Sequence, residues 1–251
     1  MKPDTDRACR RDLHIDALRF MTLTFHELAR KVPPPQPTET AVGISMRYRE
    51  QLIEQALILK LARVMSGLKS LQILLDHGLT QEQGALQRIL DDLDEDIIFL
   101  SDAKISGTVT RLHEEYLEEF WREPFDHPDP RQSDLDYRAV SRKKIRAHVS
   151  RFISSDNPSA AVAVSKAMQK AYSGFIHASA GHIMDIYGGH PPRFHVEGLL
   201  GTPVIEDYQY NSWDYFYRGL GATAMTATAL RETECFQEVY EYARRFEASG
   251  L

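Results

Sequence analysis

Apolar residues recur at spacings of three and four along almost all of this 251-residue chain, and the alternation typical of a half-buried strand is nearly absent. That period puts one apolar stripe on each helix, and such stripes are buried only by packing helix on helix. The expected fold is all-α: a multi-helix bundle with an N-terminal helical arm and one short irregular hairpin or lid.

Leu13, Ala17, Phe20, Met21, Phe25 and Leu28 mark the first helix, which must end before "VPPPQPTE", where prolines remove donors and force extended backbone. The division that follows is an arm over 1–32, a Pro-rich linker over 33–41 and a helical bundle domain over 42–251. A long helix is predicted from about Tyr48 to His77, with Leu57, Leu61, Leu68 and Leu71 making it central. Gly78 should stop it and Thr80, with Gln83 three residues on, should cap the next, over roughly 81 to 103. Ser133 or Asp134 should cap a basic helix "LDYRAVSRKKIRAHVSRFI", and a long helix should follow Pro158. "RFHVEGLLGTPVIED" reads as the irregular lid, and Ser212–Phe246 as a last helical stretch, or two broken near Arg231. An apolar arm on a semi-rigid tether reaches either its own bundle or a neighbour's, so a homodimer sharing the arm is expected.

Composition removes several classes of function. A net charge of -6 argues against indiscriminate coating of nucleic acid or anionic membrane. Cys9 and Cys235 are the only cysteines, too few for a disulfide framework or thiolate cluster. The N-terminus lacks the apolar core of a signal peptide, and no apolar run reaches membrane-spanning length. A cytoplasmic protein with no membrane partner is expected. There is no Walker loop, dinucleotide fingerprint or Glu-x-x-His pair, so no cofactor is expected.

The stretch "YSGFIHASAGHIMDIYGGHPPRFH" holds His177, His182, His190 and His195. On a helical wheel, Met168, Tyr172, Phe175 and Ile183 form a core face, and the five-residue gap from His177 to His182 points those two rings apart. No metal is therefore expected from these four. Ala167, Ala171, Gly174, Ala178 and Gly181 form a stripe of small residues, expected to pack against "RGLGATAMTATAL", residues 218–230. Ser173 and His177, four apart, are a candidate nucleophile and base, although no nucleophile elbow surrounds them. His182 can pair with Asp185. Arg193, His195 and Glu197 would share one face of a strand and could contact a polar ligand.

"AYSGFIHASAGHIMDIYGG", followed by "RFHVEGLLGTP" and "WDYFYRGL", resembles the C-terminal region of a group of bacterial all-helical proteins. In those proteins a Tyr-Ser-x-x-x-His-x-Ser helix precedes an extended segment and a closing helix. That resemblance spans about residues 160–245 and implies a fold, not a function. The whole is more loosely similar to the HEPN-like bundles of bacterial toxins and defence proteins. Some of those cut RNA without metal through an Arg-x(4–6)-His motif at a dimer interface.

Arg7 with His14, Arg19 with His26 and Arg142 with His148 match that spacing, about the number that chance supplies. "RKKIRAH" is the most suggestive, with Arg142 to hold phosphate and His148 as acid or base. The simpler expectation is that this basic helix is a solvated face paired with "DDLDED" and "EEYLEE". Two functions follow: an interaction or ligand-binding module for a protein or small molecule, or a HEPN-like metal-independent ribonuclease acting on RNA.

Overall fold

In the computed structural model, which describes residues 3–133, 135, 139–153 and 157–249, the leucine-rich helix is the centre of the fold. This helix, α2 (Ile53–His77), buries Leu57, Leu61, Leu68 and Leu71 completely or nearly so. Around it pack α1 (Pro3–Ala29), α3 (Thr80–Ile105) and α8 (Val204–Ala229), with α9 (Thr233–Ser249) laid over α8. On the outer side of α3 lie α5 (Arg142–Ile153) and α6 (Pro158–Ile176). The short α4 (Arg111–Trp121) touches α2 and α3. The fold is all-α, and no helix among the described residues is long and apolar enough to cross a membrane.

The first helix is seated in its own bundle. Ala17, Met21 and Leu28 have no exposure, and Met21 and Leu68 meet over Gly219 of α8, where an added Cβ would lie 2.6 Å from Leu68 Cδ1. The stretch read as linker supplies β1 (Gln36–Thr40), which pairs antiparallel with β2 (Gly43–Arg47), just beyond it, through a two-residue turn, Ala41–Val42. Arg47 ties this hairpin to Glu123 by bonds of 2.6 and 3.0 Å.

At the α2–α3 corner, Gly78 takes φ +70°, and the N–H groups of Gly78 and Leu79 close on the carbonyls of Leu75 and Leu74. Thr80 is the first residue of α3 and not its cap. Gln83 turns inward to donate to the Ser212 hydroxyl on α8 at 2.8 Å. Of the two residues expected to cap the basic helix, Asp134 lies outside the described residues, and α5 begins only at Arg142.

Three packing expectations for the histidine stretch fail. The helix from Pro158 stops at Ile176, Ala178 takes a left-handed φ of +48°, and α7 (Ala180–Met184) turns back. The small stripe therefore does not meet 218–230. Gly174 instead receives the His182 ring, and α6 docks on α3 by setting Phe175 against Gly84. Met168, expected in the core face, is 44% exposed. The lid follows as a hairpin of β3 (Tyr187–Gly188) and β4 (Arg193–Phe194), then anchors at the α2–α3 corner through Leu199 N–H to the Gly78 carbonyl at 2.9 Å. The final helical stretch breaks at Leu230 and Arg231, as expected near Arg231.

Candidate functional site

Arg142 and His148 both face α3 but are not brought together. Arg142 donates to Glu95 at 2.8 Å and to the Asp92 carbonyl at 2.9 Å, and grips the Asp96 carboxylate as well. His148 donates through Nε2 to Asp102 Oδ2 at 2.7 Å. Asp96 and Asp102 are six residues apart, about 9 Å along the helix. The basic helix does pair with "DDLDED", yet it is not a solvated face: Arg146 and Glu95 are buried and bonded at 3.0 Å.

His148 sits edge-on to His113, their ring centres 5.0 Å apart, and one donor atom each from Asp102, His113 and His148 fall within 4.8 Å of one another. Sequence reasoning missed this trio. Its geometry suits a metal, but the hydrogen bonds of His113 do not. The Thr110 backbone N–H donates to His113 Nδ1 at 3.1 Å, so Nδ1 carries no proton. Nε2 must then carry it, donating to the Phe99 carbonyl at 3.1 Å. Both ring nitrogens are spent, one on capping α4 and the other on tying it to the Phe99 carbonyl of α3, and burial lowers the pKa of the ring, which keeps it neutral. His113 is a structural histidine.

The remaining candidates are dispersed. Ser173 and His177 meet through backbone, His177 N–H to the Ser173 carbonyl at 3.1 Å, and His177 is exposed beyond the end of α6. His182 does not pair with Asp185 as expected; its ring bonds the Ser179 hydroxyl at 2.7 Å and the Ala171 carbonyl at 2.8 Å, so it locks the α6–α7 turn. His195 bonds the Gly188 carbonyl at 3.2 Å across the lid. Arg193 and Glu197 are exposed, and β4 ends at Phe194, so the three do not line one strand.

The structure instead assembles a charged floor between α3 and α8. Arg218 of α8 donates to Asp91 at 2.7 Å and to Asp94 at 3.1 Å. Burial pushes both carboxyls above their ordinary range, against the opposing pull of Arg218. Over this floor opens a cleft of about 400 Å³, with Arg146, Val149 and Ile153 on one wall and Met168 and Gln169 on the other. On the far side of Met168 is a second cleft of about 420 Å³, lined by Tyr172, Tyr210, Trp213, Asp214 and Tyr215. The one sequence signal for these clefts was the pairing of "RKKIRAH" with "DDLDED"; Arg218 lay unnoticed in the aromatic run "WDYFYRGL".

No family model, curated protein or solved structure matches this chain.

Proposed function

We propose that the protein is a cytoplasmic ligand-binding module whose ligand lies in the paired clefts around Met168. The observation that carries this reading is the combination of a buried ionic floor with apolar walls that stay open, Met168 at 44% and Ile153 at 62% exposure. Charge is costly to bury, and a site that keeps it beneath an open apolar cleft provides what small-molecule recognition uses: a few oriented polar groups in an apolar cavity. Pairing of two copies belongs to the same proposal. With α1 docked on its own bundle, the surface we assign to pairing is the exposed apolar group of Ile183, Met184, Tyr187, Phe194 and Val196.

A metal-independent ribonuclease is the second reading, and it rests on the Asp102–His148 pair, in which a carboxylate orients an imidazole. It is weaker because Arg142 is already neutralised by carboxylates and cannot hold phosphate without leaving them.

Thermal-shift screening of a metabolite library on the intact chain and on Met168→Trp, which fills both clefts, decides between the readings. The expected result is a set of compounds that raise the melting temperature of the parent and not of the variant. Cleavage of single-stranded RNA in the presence of chelator, lost in His148→Ala and kept in Met168→Trp, would move the function to α5.

A further inference from the structure

The chemistry of the charged cleft goes one step beyond the binding reading, and rests on it. Asp91 in its floor and Arg146 in its wall each hold one buried polar atom with no hydrogen-bond partner, Asp91 Oδ2 and Arg146 Nη2. Both residues are more than nine-tenths buried, at 6% and 8% exposure. Buried polar groups without partners are uncommon because desolvation then goes uncompensated, and two in one cleft call for a cause.

The two atoms are opposite in kind. Asp91 uses its other oxygen to accept from Arg218 at 2.7 Å and from the Tyr215 hydroxyl at 3.3 Å, leaving Oδ2 to take a donor. Arg146 spends Nε on Glu95 at 3.0 Å, leaving Nη2 to find an acceptor. Asp91 and Glu95, the partner of Arg146, are four apart on one face of α3, so both handles serve the same cleft. An α-amino acid carries both complements on one carbon, an ammonium to donate to the carboxylate and a carboxylate to accept from the guanidinium. Both handles are ionic, which favours charged ligand groups over a neutral amide, because charge-assisted bonds are about twice as strong. Beside them Val149, Ile153 and Met168 form an apolar wall.

We propose that the cleft binds a small zwitterion with an apolar body, the class of the hydrophobic α-amino acids, its ammonium on Asp91 Oδ2 and its carboxylate on Arg146 Nη2. The side chain lies along Val149, Ile153 and Met168. Both handles are buried, and Gln169, another lining residue of the cleft, is held to Asp92 by a long bond of 3.3 Å.

Isothermal titration of the intact chain with L-leucine, L-methionine and L-phenylalanine tests this. Saturable binding is expected, weakened about tenfold or more for N-acetyl-leucine and for leucine methyl ester, each of which lacks one charge. Arg146→Gln should abolish binding but also breaks a buried pair. Ile153→Trp is therefore the second variant: it narrows the cleft from its exposed rim, leaves every charge in place, and should lose binding with an unchanged melting curve. Equal affinity for the blocked analogues, or no binding of any amino acid while other compounds still respond to Met168→Trp, overturns the zwitterion. Absence of any compound sensitive to Met168→Trp overturns the binding reading itself.

Discussion

His14 shows how one side chain can give the fold a pH limit. Its ring is stacked on Phe216 at 4.2 Å and nearly parallel, with 2% exposure. Gln72 gives its amide N–H to Asp76, so its oxygen faces His14 and Nδ1 must be the protonated nitrogen, at 3.1 Å. Nε2 is buried without a partner, and protonating it would place a charge in the core. Burial accordingly pushes the pKa from 6.5 down to about 4, against the pull of the Gln72 bond. Protons then bind the unfolded chain more tightly, so the stabilisation is complete above pH 6.5 and is lost as pH falls from there to about 4. The loss totals about 3 kcal/mol. Urea titrations at pH 7 and pH 4.5 should show this drop, and His14→Phe should show a much smaller one, the residue coming in part from His113, whose pKa is lowered in the same sense. Equal slopes for parent and variant would discard the account.

Among the elements, the turn between α6 and α7 separates what the sequence could show from what it could not. The small stripe through Gly174 was legible, and so was a close approach there. Its partner was not, because the helix ends at residues where no glycine or proline marks the break, and Ala178 enters left-handed backbone that its side chain gives no warning of. The hairpin of β1 and β2 was missed for a related reason: its turn is Ala41–Val42 and lacks the Asn-Gly signature. Pairing between α5 and the acidic row of α3 was legible from charge alone, but burial of Glu95 and Arg146 depends on α6 and α8 arriving from distant sequence. Gly174→Ala would put a methyl 2.1 Å from the His182 ring and should cost about 1–3 kcal/mol by overpacking. Adding His182→Ala removes the obstacle, so denaturant unfolding should find the double variant less damaged than the two single losses together.

At the scale of the molecule, α1 is structural and not an appendage. Removing it uncovers Phe216 and Leu68 while discarding Met21 and Leu28, and a buried side chain of that size contributes roughly 1.5–3 kcal/mol. The total rivals the stability of a whole domain. A chain beginning at Thr38 should therefore lose its cooperative melt in calorimetry, where an arm used only for pairing would leave a folded monomer visible by light scattering. The lid is joined to the bundle with less material. Gly198, at φ +113°, would bring a Cβ to 2.2 Å from the His77 carbonyl, and Gly78, at φ +70°, would bring one to 2.7 Å from the Leu199 nitrogen. Each glycine is required by the backbone of the other's neighbourhood. In evolutionary terms they form a single inherited character: neither can drift first, a lineage that deletes 187–203 frees residue 78 to become asparagine, and one that keeps the lid keeps both glycines.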